Sequence, residues 1–355
     1  AQIGRQKELA AGKRELTAIE KRIAELSPGQ ARRFAFVPGR TLQEALEREE
    51  AAGVKGLSAV FPSLKRQREN AALKAALVRE QGAAYTAKTG LKMPSAPGTA
   101  VKESAKAVVD YSNANEGYIG VKYTGKSKPQ LKITAPSGNA YDYVFTPTGD
   151  WQYFVLSEGS GTYTIALYEI IVANKAMPVT NVSVEANIAD STAPFLYPNC
   201  YVNYTGSTKA VKIAAYLAKS CTTETQLIEA IYNYVVTNIK YDNNLAKTVT
   251  SNYISDPDTV ITNKSGICFD YAAVMTAMLR SRGIPAKMVF GYSNNEYHAW
   301  VSIYAKESGK VNNVFTFSAK TWKLLDPTAA STSNQSSAVN SYVEAASGYV
   351  PKFVY

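Results

Sequence analysis

The chain has 355 residues, a formal net charge of +10, 46% hydrophobic residues, three cysteines and one histidine. That length fits two or three domains of about 100–200 residues each, and three cysteines are too few for a disulfide framework. No run approaches the roughly 18 apolar residues of a membrane span, and any histidine-dependent mechanism must use His298.

The charge is uneven. Residues 1–100 hold 18 lysines and arginines against 10 glutamates and no aspartate, whereas the other 255 hold 21 against 19. Ten of the twelve arginines precede residue 80, and 23 of the 24 tyrosines follow residue 100. A basic helical region could meet nucleic acid or an anionic surface. Without a nucleic-acid motif, the simpler reading is that interspersed Glu and Arg solvate amphipathic helices. Arg5, Lys7 and Glu8 interrupt any apolar core of a secretory signal at Ala1, which by itself does not place the protein in the cytosol.

Residues 1–90 read as helical. Leu9, Leu16, Ile19, Ile23 and Leu26 form one apolar stripe, stopped by Ser27-Pro28-Gly29. Thr41-Leu42-Gln43-Glu44 is a capping-box pattern that opens a second helix, and a third is expected over 63–81. Residues 91–105, with Pro94, Pro97 and Gly98, read as a linker. From 106 to 190 the period changes to two, with strands expected at Tyr118–Tyr123, Gln130–Thr134, Tyr141–Phe145, Trp151–Leu156, Thr162–Ile171 and Val182–Ala186. Short strands at this spacing predict an antiparallel β-sandwich of immunoglobulin-like type, expected to carry no functional site. Residues 191–355 read as a separate domain of helices followed by strands. Helices are expected at 209–219, 223–239 and 268–282, the last with one apolar face. Strands follow at about 287–291, 297–304, 314–318 and 322–325, and the polar stretch Ser331–Ser337 reads as a surface loop. Cys200 and Cys221 could pair, or stay as two separate buried thiols.

Cys268, His298 and Asp326, in that order, are the parts of a thiol nucleophile with its base and orienting acid. Cys268 is expected in the first turn of a helix, where the partial positive charge favours a thiolate and its own N–H can donate to an oxyanion. His298 is expected early on a strand facing the thiol. Asp326, at the end of a neighbouring strand, is expected to accept the Nδ1 proton. Singly, each residue has a plainer role: a core thiol, a structural histidine among aromatics, a turn aspartate before proline.

The surrounding motifs are more specific. Gly266-x-Cys268-x-Asp270-Tyr271-Ala272, Leu279-Arg280-x-x-Gly283-Ile284-Pro285-Ala286, Gly291-Tyr292, His298-Ala299-Trp300-Val301 and Trp322-x-Leu324-Leu325-Asp326-Pro327-Thr328 resemble the transglutaminase-like superfamily. So does the upstream helix Ile231-Tyr232-x-Tyr234-Val235-x-x-Asn238-Ile239-x-Tyr241-Asp242, and the resemblance covers about 205–330. The β-rich segment before it, with Phe195-Leu196-Tyr197-Pro198-Asn199, is similar to modules joined to such domains in secreted proteins of Gram-positive bacteria. The resemblance implies an α+β protein: a papain-like, transglutaminase-like core preceded by the immunoglobulin-like β-sandwich and the N-terminal helical region. It implies Cys268 as nucleophile, His298 as general base and acid, and Asp326 as orienter. A second oxyanion donor is expected upstream, with Tyr241 the candidate, while Asp270 and Tyr271 are expected to serve capping and packing.

The implied activity is thiol-dependent acyl transfer on protein or peptide amides through a Cys268 thioester, with hydrolysis as the expected outcome. The alternatives are a protein-crosslinking transglutaminase and a non-catalytic cell-surface binding module. No cofactor or metal is implied, and no calcium-binding loop pattern is present. The expected partner is a protein or peptide, the expected location extracellular or at the cell surface. Residues 1–90 could act as an inhibitory pro-segment or as an accessory domain.

Overall fold

The computed structural model describes residues 90–172, 175–250 and 252–355. The helices expected within 1–90 lie outside the described residues.

The described chain begins with eight strands: β1 (Val101–Glu103), β2 (Ala107–Asp110), β3 (Tyr118–Tyr123), β4 (Lys128–Thr134), β5 (Ala140–Val144), β6 (Trp151–Val155), β7 (Gly161–Val172) and β8 (Lys175–Ala186). They form two antiparallel sheets, in the orders β1-β2-β3-β6 and β5-β4-β7-β8. The period-2 pattern explains why. In β4, Pro129, Leu131 and Ile133 turn inward while Gln130, Lys132 and Thr134 turn out. Burying each such Leu or Ile is worth about 1.5–3 kcal/mol relative to exposure. The two sheets meet through rings, with Phe154 of β6 5.0 Å from Tyr143 and 5.3 Å from Phe145.

The stretch 91–105, read as a linker, is pinned to this unit. Val101–Glu103 pairs with β2, Gly98 N donates to Asp110 Oδ2 at 2.7 Å and Ala100 N to Ser112 Oγ at 2.9 Å. Pro94, Pro97 and Gly98 interrupt regular structure, but side chains supply the backbone with partners.

The remaining elements are α1 (Lys209–Ala218), α2 (Glu224–Asn238), β9 (Lys240–Tyr241), α3 (Asn243–Thr248), α4 (Pro257–Asn263), β10 (Ser265–Gly266), α5 (Cys268–Arg280), β11 (Ala286–Ser293), β12 (Glu296–Ala305), β13 (Gly309–Val311), β14 (Phe315–Phe317), β15 (Thr321–Leu325), α6 (Pro327–Thr332), α7 (Ser337–Ala345) and β16 (Tyr349–Val354). An antiparallel sheet in the order β15-β12-β11-β16 carries α5 against it. Several of these elements differ from expectation. α3 and α4 are short and lack an apolar stripe, yet the side chains of Asp242 and Asp256 cap their first turns. The polar tail is a loop only between α6 and α7, because Asp326 and Ser336 cap those helices. β16 then returns to the sheet beside β11.

The helical period predicts one apolar face for α5. Instead every residue of its 13 except Cys268 is buried. Small side chains at Ala272, Ala273 and Ala277 allow elements to close on all its sides. Arg280 is buried too, and its guanidinium forks to three carbonyls: Nε to Ala286 O at 2.8 Å, and its two terminal nitrogens to Tyr197 O and Tyr355 O, each at 2.7 Å. Burial lowers its pKa to about 10, so it remains charged at neutral pH.

The sandwich packs on this region through an aromatic cluster. The Tyr355 ring lies 5.7 Å from Tyr141 and 5.6 Å from Tyr143 of β5, and 4.7 Å from Tyr201. No disulfide joins Cys200 to Cys221; Cys221 Sγ lies 3.3 Å from Leu217 O. Among the described residues, no helix is long and apolar enough to cross a membrane.

Candidate active site

The nucleophile turn is built before the helix begins. Ser265 and Gly266 pair in parallel with Lys240 and Tyr241, and Asp242 N donates to Gly266 O at 2.9 Å. This bridge places Tyr241 beside the turn. At the third helical position Asp270 reaches back, accepting from Ile267 N at 2.8 Å and from Tyr253 Oη at 2.8 Å. A β-carbon at Gly266 would collide with the Asp270 side chain, so glycine is required by the close approach. Burial raises the Asp270 pKa, partly opposed by these hydrogen bonds. Tyr271 Oη donates to Ile239 O at 2.7 Å, tying the helix to the end of α2. Cys268 therefore occupies the first position of a helix that is fixed at its start from three sides. Its N–H has no acceptor within the helix and is available to a ligand.

His298 lies near the start of β12, directly opposite Gly291 of β11. Glycine there has a second reason: a β-carbon would strike Val350 O and the Trp300 ring. Trp300 stacks beside the imidazole at 6.3 Å between centroids. On the other side of β12, β15 pairs Leu325 with Val301, and Asp326 follows immediately. His298 Nε2 and Asp326 Oδ2 are 2.7 Å apart, with side-chain exposures of 18% and 1%.

The tautomer expectation is corrected here, since the imidazole presents Nε2 and not Nδ1 to the carboxylate. Asp326 sits one residue beyond the Val301–Leu325 pair, a diagonal step from His298, and the ring tip makes that reach. Cys268 lines the same cavity as His298 and is a further influence that raises its pKa. Burial opposes charge on His298, but the bond to Asp326 and the influence of nearby Cys268 outweigh it and raise its pKa from 6.5 to about 10. An imidazolium at the thiol favours the thiolate.

Asp326 is satisfied in three ways. It accepts from His298, from Ala329 N at 2.9 Å as the cap of α6, and from Tyr349 Oη at 2.8 Å. Burial, then the Asp326 charge, raises the Tyr349 pKa, so the phenol stays a donor. Sequence reasoning does not find Tyr349. It belongs to β16, whose only local signal is a short run of apolar and aromatic residues after a polar tail.

Cys268, His298 and Tyr241 line one cavity of about 490 Å³. Burial, followed by the charges of Cys268 and Glu296, raises the Tyr241 pKa, so its hydroxyl is a proton donor at neutral pH. The sandwich, expected to have no site, supplies Ala140 and Asp142 of β5 to the same cavity, and β16 with the chain beyond it supplies Phe353 and Tyr355. β5 reaches the cleft through long-range packing that local periodicity does not encode.

Residues 211–327 match the model of the transglutaminase-like superfamily. A 66-residue stretch is 35% identical to the uncharacterized protein YebA of Bacillus subtilis (strain 168), covering 14% of this chain and 9% of that protein. Among solved structures, a candidate cysteine protease from Cytophaga hutchinsonii aligns over 72% of this chain and 83% of its own, at 16% identity and a TM-score of 0.34. Red sea bream transglutaminase aligns over 61% and 49%, at 10% identity and a TM-score of 0.26. The segment that carries Cys268, His298 and Asp326 belongs to the transglutaminase-like superfamily.

Proposed function

We propose that the protein is a thiol-dependent acyltransferase that hydrolyses peptide or side-chain amides. The observation that carries this reading is that His298, bonded to buried Asp326 at 2.7 Å, lines one cavity together with Cys268. The Cys268 thiolate attacks the substrate carbonyl, forming a C–S bond while the carbonyl electrons move to oxygen. The Cys268 N–H and the Tyr241 hydroxyl are the donors assigned to that oxyanion. As the C–N bond breaks, imidazolium His298 gives its proton to the leaving amine. Water then adds to the thioester, losing a proton to His298, and the C–S bond breaks to return the Cys268 thiolate beside imidazolium His298. We assign water as the acceptor, which can reach His298 because its side chain keeps 18% exposure and lines the cavity.

The test follows wild type and Cys268→Ala in a protein mixture with an amine-tagged probe. New peptide ends or ammonia release that depend on Cys268, without amine incorporation, are expected. Cys268-dependent amine incorporation would replace hydrolysis with crosslinking, and identical silence from both proteins would remove the enzyme reading.

A further inference from the structure

The cavity has a chemistry of its own beyond the relay. Its walls are rings: Tyr201, Phe269, Phe290, Tyr297, Phe353 and Tyr355 accompany Tyr241 and Tyr253. Among the described residues that line it there is one carboxylate, Asp142, and no lysine or arginine. Asp142 is exposed on β5, whose neighbouring tyrosines turn into the core, and its side chain meets Gln130 Nε2 at 3.3 Å. Acidic residues outside the lining act on two of the ring hydroxyls, and Tyr253 Oη donates to Asp270 Oδ1 at 2.8 Å. Glu296 acts on Tyr241, and Asp270, Asp256 and Asp242 act on Tyr253, in each case adding to burial in holding the phenol protonated. The chain as a whole carries +10, whereas this cleft presents ring faces with Asp142 at one edge, opposite Lys132 of β4, and Cys268 with His298 at its base. Rings with a carboxylate beside them suit an alkyl chain that ends in a cation, since ring faces attract ammonium and cover methylenes.

We propose that the cleft is a specificity pocket for a lysine-type side chain of the acyl donor, with the rings as walls and Asp142 as the charge partner. This rests on reading the cleft as the site of acyl transfer. It assigns the ammonium to recognition, because an amine held by a carboxylate stays protonated and is no nucleophile. The β-sandwich thereby acts as part of the substrate site, through a residue that sits on its outer edge strand.

The experiment measures binding, so that it does not depend on turnover. Full-length Cys268→Ala protein is titrated calorimetrically with blocked alanine peptides whose central residue is lysine, norleucine or glutamate. The lysine peptide is expected to bind about five-fold tighter than its norleucine counterpart, the scale of an exposed cation–π and charge contact. Adding Asp142→Asn should remove most of that preference, and Asp142→Lys should reverse it. Asp142 is exposed, so both variants are expected to fold, which a thermal melt checks. Equal or weaker binding of the lysine peptide, no binding of it at millimolar concentration, or a preference unchanged in Asp142→Asn would overturn the proposal. An intact preference in a protein that shows no Cys268-dependent turnover would keep the lysine pocket and overturn its assignment to an acyl donor.

Discussion

Asp326→Asn is expected to lower kcat/KM by about 10³–10⁴-fold, the scale seen when the orienting acid of a triad is neutralised, while the melting temperature shifts little. Asparagine caps helices as well as aspartate does, so the bond from Ala329 N survives. What changes is the imidazole. The amide presents either a donor or a weak neutral acceptor to Nε2, so His298 loses the partner that holds its proton and fixes its orientation. The pH dependence shares this cause. The His298 pKa is raised in the fold from 6.5 to about 10, so the stability from its protonation is fully present below pH 6.5 and lost as pH rises through 10. In Asp326→Asn that loss between pH 6.5 and 10 should largely vanish. Asp326→Ala adds a different penalty. It removes the cap and leaves the Tyr349 hydroxyl buried without an acceptor at Asp326, together about 2–4 kcal/mol. Thermal melts and kcat/KM across pH check both variants. An asparagine variant with wild-type activity would show that the carboxylate does not act through His298.

The largest stability effect is expected at Arg280. Arg280→Leu should destabilise the protein by about 3 kcal/mol, since three buried carbonyls lose charge-assisted bonds. For a chain of this size that is a drop of roughly 4–5 °C in melting temperature. Removing a buried charge returns some desolvation energy, which is why the estimate stays well below the gross strength of the three bonds. Tyr355 O still receives Met288 N at 2.9 Å, so the uncompensated loss falls on Tyr197 and Ala286. Tyr197 belongs to the segment joining the sandwich to the helices, and Tyr355 walls the cavity. The variant should therefore weaken substrate binding as well as stability. Arg280→Lys keeps the charge without the planar fork and should recover less than half of the loss. Melting temperatures within a degree of wild type for both would mean that the fork contributes no net stability.

The legible parts of this protein are those whose signal is local. Alternation in β4 and β5 predicts which residues face inward, and the Gly266–Ala272 motif marks the start of the buried helix. Cys268, His298 and Asp326 stand out in the sequence because each lies in a distinctive local pattern. Tyr349 does not. It reaches Asp326 only because β16 returns to β11 from the far end of the sequence, and its own surroundings are polar and turn-rich. Asp142 is hidden for the same reason, since an outward polar residue on a strand reads as solvent-facing until another domain meets that edge. The choice of Nε2 over Nδ1 depends on a diagonal reach between β12 and β15, which a linear pattern does not contain. The all-round burial of α5 escapes a periodicity argument because alanines count as weakly apolar in a helical stripe, yet they let neighbours approach from every side.

The central claim, that His298 activates Cys268, is tested most directly by alkylation. Wild type and His298→Asn are treated with iodoacetamide between pH 5.5 and 8.5, and each cysteine is followed by mass spectrometry. An ordinary thiol near pKa 8.5 has only about 0.3% thiolate at pH 6. Cys268 in wild type is expected to react at pH 6 at least about ten-fold faster than such a thiol. His298→Asn should lose that advantage. Half-buried Cys200, whose thiol pKa is pushed up by burial, and buried Cys221 should stay unmodified in both. A Cys268 rate that climbs about ten-fold per pH unit up to 8.5, the same in both proteins, would contradict the account.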